Sequence, residues 1–466
     1  MTERMISLAV YWGVWLILPV LVDGLAALVQ MVEVLIQRLK RRTRSKAAAS
    51  ERGTQGLARV SGKGVSVIIP VYNGEASLGR CLDSLRHQRF PQELIEIIVV
   101  NNGSTDATEA VFTRHAARPF NGQMHWISIA GRGKSYALNA GLHLASHSYI
   151  CNVDCDTVLH PDALRIMVEH FEANPDLGAA TGSIEVLPAP RSRQQEDWMP
   201  FLIAECEFQE YLTAFWLGRQ GQTLTDSLFT LAGAFSFFRR EVLMATLLYD
   251  KQTVSEDTKI TLDIRKQFAQ RRIGCLPEAI AYVTPTPSLG ALYSQRVRWQ
   301  RGEIEVAAVH QDMVGQNWLQ LRGLALGRTL LIDHTFLFPR LVWTFLFPAL
   351  AFFGYPPGLI LSALLIIYLF YMFIAFISTG VIYGLAAPPI RRRLRKNGWV
   401  VALVPLYRMM IFVFRLAGSI ITLTEPPGWK VRPPWVEIQQ AGREIWQGVQ
   451  LYWKHRNPKK GTSDGI

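Results

Sequence analysis

The chain has 466 residues, of which 49% are hydrophobic and 11% aromatic, and a formal net charge of +12. That length accommodates one large soluble domain plus several membrane spans, and the apolar stretches below exclude a simple soluble enzyme. The positive excess does not point to nucleic acid: much of it flanks apolar segments, where anionic membrane lipid is the simpler partner.

Residues 6–36 form an apolar stretch interrupted by charge only at Asp23 and Glu33. It is longer than the roughly 20 residues needed to cross a bilayer, and too long for a cleaved signal peptide. The basic run Arg38, Lys40, Arg41, Arg42, Arg44 and Lys46 follows it. Such cations stay on the cytoplasmic side, so the N-terminus is expected outside and the rest inside. The organisation expected is a transmembrane helix over 1–37 and a basic flexible linker over 38–64.

A cytoplasmic α/β domain is expected over 65–310. Residues 65–71 (VSVIIPV) are a continuous apolar run suited to a parallel strand buried on both faces. A helical face of Leu78, Cys81, Leu82 and Leu85 follows. The alternation continues with strands at 95–100, 125–129 and 149–153 and helices at 105–114, 134–145 and 162–170. Strict alternation predicts a parallel-rich sheet covered by helices, with ligands beyond the carboxyl ends of the strands. Tyr72-Asn73, the stretch 101–106 and Asp154 to Asp156 all fall there. The five cysteines (Cys81, Cys151, Cys155, Cys206, Cys275) lack paired metal-ligand spacing and read as reduced, buried thiols.

Past Pro287 the pattern shifts to long helices rich in Arg, Trp and Leu, with interfacial helices expected over 311–340. Two spans are expected within 341–387, separated by the turn Tyr355-Pro356-Pro357-Gly358. The segment 388–425 joins a basic loop (Arg391, Arg392, Arg393, Arg395, Lys396) to a third apolar stretch, 399–423, carrying Arg408 and Arg415. If it spanned, the basic C-terminal tail 426–466 would lie outside, against the charge rule, so an interfacial or re-entrant placement is expected.

Asp154-Cys155-Asp156 follows an apolar strand directly, which projects both carboxylates into the crevice. Two carboxylates there can hold a hard divalent cation that takes its other ligands from water and substrate phosphate. As an isolated tripeptide it could equally cap a turn.

Residues 65–305 resemble glycosyltransferase family 2, the inverting enzymes with the GT-A fold. The resemblance is carried by VSVIIPVYNGEASL, VVNNGSTD, GKSYALNAG, NVDCD (a DxD motif), SED at Ser255 to Asp257 and QRVRW at Gln295 to Trp299, in the family's order. ECEFQEYLTAFWLGRQ and LAGAFSFFRR are further similar to a subgroup associated with exosortase-like systems of Gram-positive bacteria.

The resemblance implies a residue-by-residue assignment. Pro70, Tyr72, Asn73, Asn101, Asn102, Lys134 and Asp154 would edge the nucleotide-sugar donor, Lys134 through phosphate. Asp156, with Asp154, would hold a magnesium or manganese ion. Asp257 would be the general base, although an acid ahead of Thr258 could also be a helix cap. Gln295, Arg298 and Trp299 would bind acceptor and diphosphate, with Gly233 and Glu256 as acceptor-site candidates. An amphipathic interfacial helix would also carry Arg and Trp, and the Leu231 to Ser236 segment could be a plain buried strand. One departure stands out: Asn101-Asn102 replaces the family's two aspartates, one of which receives the N3–H of uracil. An Asn carbonyl can accept the same bond, so a uridine nucleotide is still expected.

These readings predict a multi-pass plasma-membrane enzyme with a cytoplasmic catalytic domain, adding sugar from a UDP-GlcNAc or UDP-glucose type donor to a growing polysaccharide. Transfer of a single sugar to a membrane glycolipid acceptor is the alternative, and a non-catalytic sugar-binding scaffold is a third reading. With so few spans, a sealed polymer channel would need a homo-oligomer or a partner subunit.

Overall fold

The structure is a computed structural model that describes residues 23–25, 27–37, 62–131, 133–189, 198–250, 253, 255–314, 316, 323–329, 345 and 349–424. Most of the expected first span, residues 38–61 of the linker, 315, 317–322 and 330–340 of the expected interfacial helices, 341–344 and 346–348 of the hairpin's first span and the tail 426–466 lie outside the described residues.

An eight-stranded sheet has the order β3-β2-β1-β4-β7-β6-β8-β5. Its first half is the expected alternation: β1 (Val65–Val71), α2 (Leu78–Arg86), β2 (Ile95–Asn101), α3 (Thr108–Ala116), β3 (Gln123–Ser128), α4 (Lys134–Leu144) and β4 (Tyr149–Val153), with α1 (Ala27–Gln37) preceding them. β1 pairs in parallel with β2 and β4, and β2 with β3. All seven residues of β1 are buried, as a strand covered by helices on both faces must be.

The second half is mixed. It contains β5 (Val158–Leu159), α5 (Ala163–Ala173), β6 (Leu177–Val186), α6 (Met199–Thr213), β7 (Phe235–Arg239), α7 (Glu256–Gln267) and β8 (Arg272–Val283). β7 lies antiparallel between β4 and β6, and β6 pairs in parallel with β8. The register Val153↔Phe235 sets the segment before β7 beside the residues that follow β4. The amino end of β7 and the carboxyl ends of β1, β4, β6 and β8 therefore face one crevice.

α8 (Leu289–Val309) starts at Ser288, whose side chain accepts the N–H of Ala291. It leads to α9 (Pro357–Leu385), α10 (Pro388–Asn397) and α11 (Val404–Thr424). α9 and the run Pro388–Thr422 are long and apolar enough to cross a membrane, by length and composition. α9 exposes Leu361, Leu365 and Phe373. α10 docks on the sheet domain through Arg393, which ion-pairs with buried Glu205 and stacks 3.7 Å from the Phe208 ring.

Candidate active site

A cavity of about 920 Å³ opens at the strand ends. Pro70, Tyr72, Asn102, Lys134, Asp154, Asp156, Gly233, Glu256, Asp257, Gln295, Arg298 and Trp299 all line it. Asn73 and Asn101, also expected at the donor, are absent from that lining and tie loops together. Asn73 Oδ1 accepts the Thr105 N–H at 2.8 Å, and Asn101 Oδ1 accepts the Ser104 N–H at 2.9 Å.

Asp154 and Asp156 leave the end of β4. Lys134, the first residue of α4, reaches across so that its Nζ lies 2.7 Å from Asp154 and 3.0 Å from Glu256. Burial alone would lower the lysine's pKa, but Asp154 and Glu256 hold it well above the usual value. The Asp154 carboxyl is pushed up by burial, with Asp156 and Glu256 adding to the rise and Lys134 opposing it.

Asp257 lies in the first turn of α7, where free N–H groups favour an anion. Its Oδ1 accepts the N–H of Thr258 at 2.8 Å and its Oδ2 that of Gly233 at 3.1 Å. Burial and neighbouring Glu256 nevertheless raise it to about 6. Gly233 packs closely on these groups: a Cβ there would stand 3.2 Å from both Asp257 Oδ2 and Lys134 Nζ, which would have to shift by a few tenths of an ångström. Behind these groups a cavity of about 10 Å³ is lined by Asn152, Tyr249, Lys134 and Asp257 among others, with Asn152 Nδ2 donating to the Tyr249 hydroxyl.

The opposite wall is α8. Trp299 shows 37% of its surface, facing the cavity, and the guanidinium of Arg296 lies 4.5 Å from its ring centroid. Arg296 is itself buried at 2% exposure, with Nη2 2.7 Å from Glu210 and 3.7 Å from Glu207. The Tyr407 hydroxyl of α11 donates to the same Glu210 at 2.9 Å.

This clamp escaped the sequence reading, as did Arg219, Glu303 and Arg415, which also line the cavity. A signal for it was present: Glu205, Glu207 and Glu210 are three acids in one turn and a half of an otherwise apolar helix. Arg219 ends a π-helical turn, Ala214–Arg219, a form that concentrates at functional sites. Burial raises Glu303 to about 7.

Among the described residues no group of three or more His, Cys, Asp or Glu side chains is arranged to hold a metal ion by itself. The donor set still fits a hard cation that completes its shell with phosphate oxygens. Asp154, Asp156, Glu256 and Asp257 bring four carboxylates to one crevice, with Lys134 as the cation bonded among them.

A mixed sheet with a carboxylate crevice at its strand ends is the arrangement of the GT-A fold. Residues 66–247 match the family described as Glycosyl transferase family 2, and the chain carries a domain of that family. Asp257 and α8 lie beyond the matched residues.

The chain is 29% identical over 245 residues to a poly-beta-1,6-N-acetyl-D-glucosamine synthase of Staphylococcus epidermidis, covering 52% of this chain and 55% of that one. A synthase of the same description from Staphylococcus aureus (strain COL) is 28% identical over the same length and shares. The chain thus spans about half the length of the curated relatives it matches. The solved mannosyltransferase PcManGT of Pyrobaculum calidifontis, in complex with GDP-Man and Mn2+, superposes with a TM-score of 0.51 at 18% identity. The match covers 84% of this chain and 99% of that one, and shows a shared fold.

Proposed function

We propose that the protein is a membrane-bound inverting glycosyltransferase that passes a sugar from a UDP-linked donor, of the UDP-GlcNAc type, to a growing polysaccharide. One observation carries the reading: the Asp154/Asp156 pair, Asp257 and Trp299 come from three separate segments of the chain and line one cavity. The resemblance to polysaccharide synthases supports the acceptor class, and two helices long and apolar enough to cross a bilayer support a membrane location.

In this reading Asp257 takes the proton of the acceptor hydroxyl as that oxygen attacks the anomeric carbon from the face opposite the diphosphate. The two backbone N–H groups on its carboxylate orient it for that task. Lys134 and Arg298 bind phosphate oxygens, and Trp299 offers its ring to a sugar face, held from behind by Arg296. Asp154 and Asp156 would hold a divalent ion, which supplies charge neutralisation to the departing diphosphate. Gly233 leaves room for the acceptor beside the base.

The test is an assay of the purified protein in detergent with a panel of UDP-sugars and magnesium or manganese. UDP release with products of increasing length is expected, and chelation should abolish it. Products carrying only one added sugar would remove the polymerising reading, and no UDP release from any donor would remove the transferase reading.

A further inference from the structure

The edge of the cavity beside β1 poses a hydrogen-bonding question at Asn101 and Asn102. Both amide groups of Asn101 are used within the chain, its Oδ1 by the Ser104 N–H at 2.9 Å and its Nδ2 by Ser128 Oγ at 3.4 Å. Asn102 is the one that lines the cavity, next to Pro70, Val71 and Tyr72. Its backbone N–H donates to the Val71 carbonyl at 2.8 Å, which fixes it against the end of β1. Its Oδ1 accepts the N–H of Gly133 at 3.0 Å, which closes the loop before α4.

That last bond sets the amide's orientation. Only the carbonyl oxygen can accept from an N–H, and turning the group over would press –NH2 against N–H, donor against donor. The Nδ2 group, with two protons and no recorded partner among the described residues, is therefore the end offered to a ligand.

We propose that Asn102 reads the nucleobase of the donor through an acceptor atom, a ring carbonyl oxygen or a lone-pair ring nitrogen, and not through the N3–H of uracil. The inference rests on the donor being a nucleoside diphosphate sugar. A carboxylate at this position can only accept, and so selects a base that donates there. The amide reverses the polarity of the contact. Uracil meets it with a ring carbonyl oxygen, while cytosine meets it with N3, the atom that carries a proton in uracil. The loop, by engaging Oδ1, turns an accepting position into a donating one.

The experiment is a binding titration of the full chain in detergent with UDP, CDP and N3-methyl-UDP, repeated on Asn102→Asp. In the wild type, N3-methyl-UDP should bind within about threefold of UDP, because the methyl replaces a proton that the protein does not use, and CDP within about tenfold. Asn102→Asp should weaken CDP and N3-methyl-UDP by about tenfold or more relative to UDP, and its retained UDP binding reports that it folds. A wild-type loss of about tenfold or more on N3-methylation overturns the proposal, since Oδ1 would then be accepting N3–H with its second lone pair. An unchanged CDP-to-UDP ratio in Asn102→Asp overturns it as well. Should the variant bind nothing, the wild-type arm alone decides. Failure of every nucleoside diphosphate to bind the wild type brings down the donor reading itself, a result distinct from the others.

Discussion

Asp257 combines two opposed influences: the N–H groups of Thr258 and Gly233 favour its charged form, whereas burial and Glu256 disfavour it more strongly. The net value of about 6 suits a base that must be ionised to accept a proton near neutrality. Below that value the carboxyl is protonated and cannot act. The turnover rate should therefore fall about tenfold per pH unit on the acid side of a midpoint near 6 and level off above it, as a pH–rate profile will show. Asp257→Asn should lower kcat by roughly 10²- to 10⁴-fold while donor affinity, measured by UDP titration, changes only a few-fold. Equal activity in the Asn variant would strip Asp257 of the base role.

At the scale of elements, α8 is held by a polar clamp in a largely apolar setting. Arg296 meets Glu207 and Glu210 of α6, and Tyr407 of α11 shares Glu210. Removing one member of a buried ion pair strands the other's charge, which costs more than the pair itself contributes. Arg296→Met should therefore cost roughly 3–5 kcal/mol in thermal or denaturant unfolding, while Tyr407→Phe, which leaves the pair intact, should cost only about 1 kcal/mol. Similar losses for the two variants would show that the charge pair does not anchor the helix.

Elements also differ in how far they could be read from sequence. β1 and β2 are rich in Val and Ile, β4 (YICNV) is buried along its length, and all three alternate with helices, so local pattern and final structure agree. β6, LGAATGSIEV, is rich in Ala and Gly, which have little strand preference, and it is made a strand by β7 and β8, distant in sequence. β7 itself begins within the Leu231 to Ser236 segment, where a buried strand and an acceptor-site segment were both open readings. It is a strand whose preceding residues Ala232, Gly233 and Ala234 line the cavity. The side chains of Asp154, Asp257 and Trp299 could be proposed from short motifs. Arg296 and Glu210 could not, because their meaning depends on a contact between helices 86 residues apart in the chain.

On the scale of the whole molecule, the catalytic domain and the apolar helices are joined along the face of α8. Gly418 of α11 rests directly on it: a Cβ there would stand 3.0 Å from Gln300 Cβ and 3.2 Å from the Val297 backbone. Tyr293 and Phe414 pack edge to face beside that contact, with ring centroids 5.2 Å apart. Gly418→Leu should force the two helices apart at a cost of about 1–3 kcal/mol in unfolding. Because Trp299 rides on α8, acceptor turnover should fall while UDP affinity is kept. A variant with full turnover would uncouple α11 from the site.

Lys134 spans Asp154 and Glu256 within the fold itself. Gathering acids around a point where a diphosphate must arrive would be repulsive if it had to be done anew in every catalytic cycle. With the ammonium already seated, that electrostatic work is completed once, when the chain folds. In the proposed reaction each incoming donor would meet a prearranged charge field whose lysine would have only to exchange a carboxylate oxygen for a phosphate oxygen, so little reorganisation energy would be left to slow the cycle.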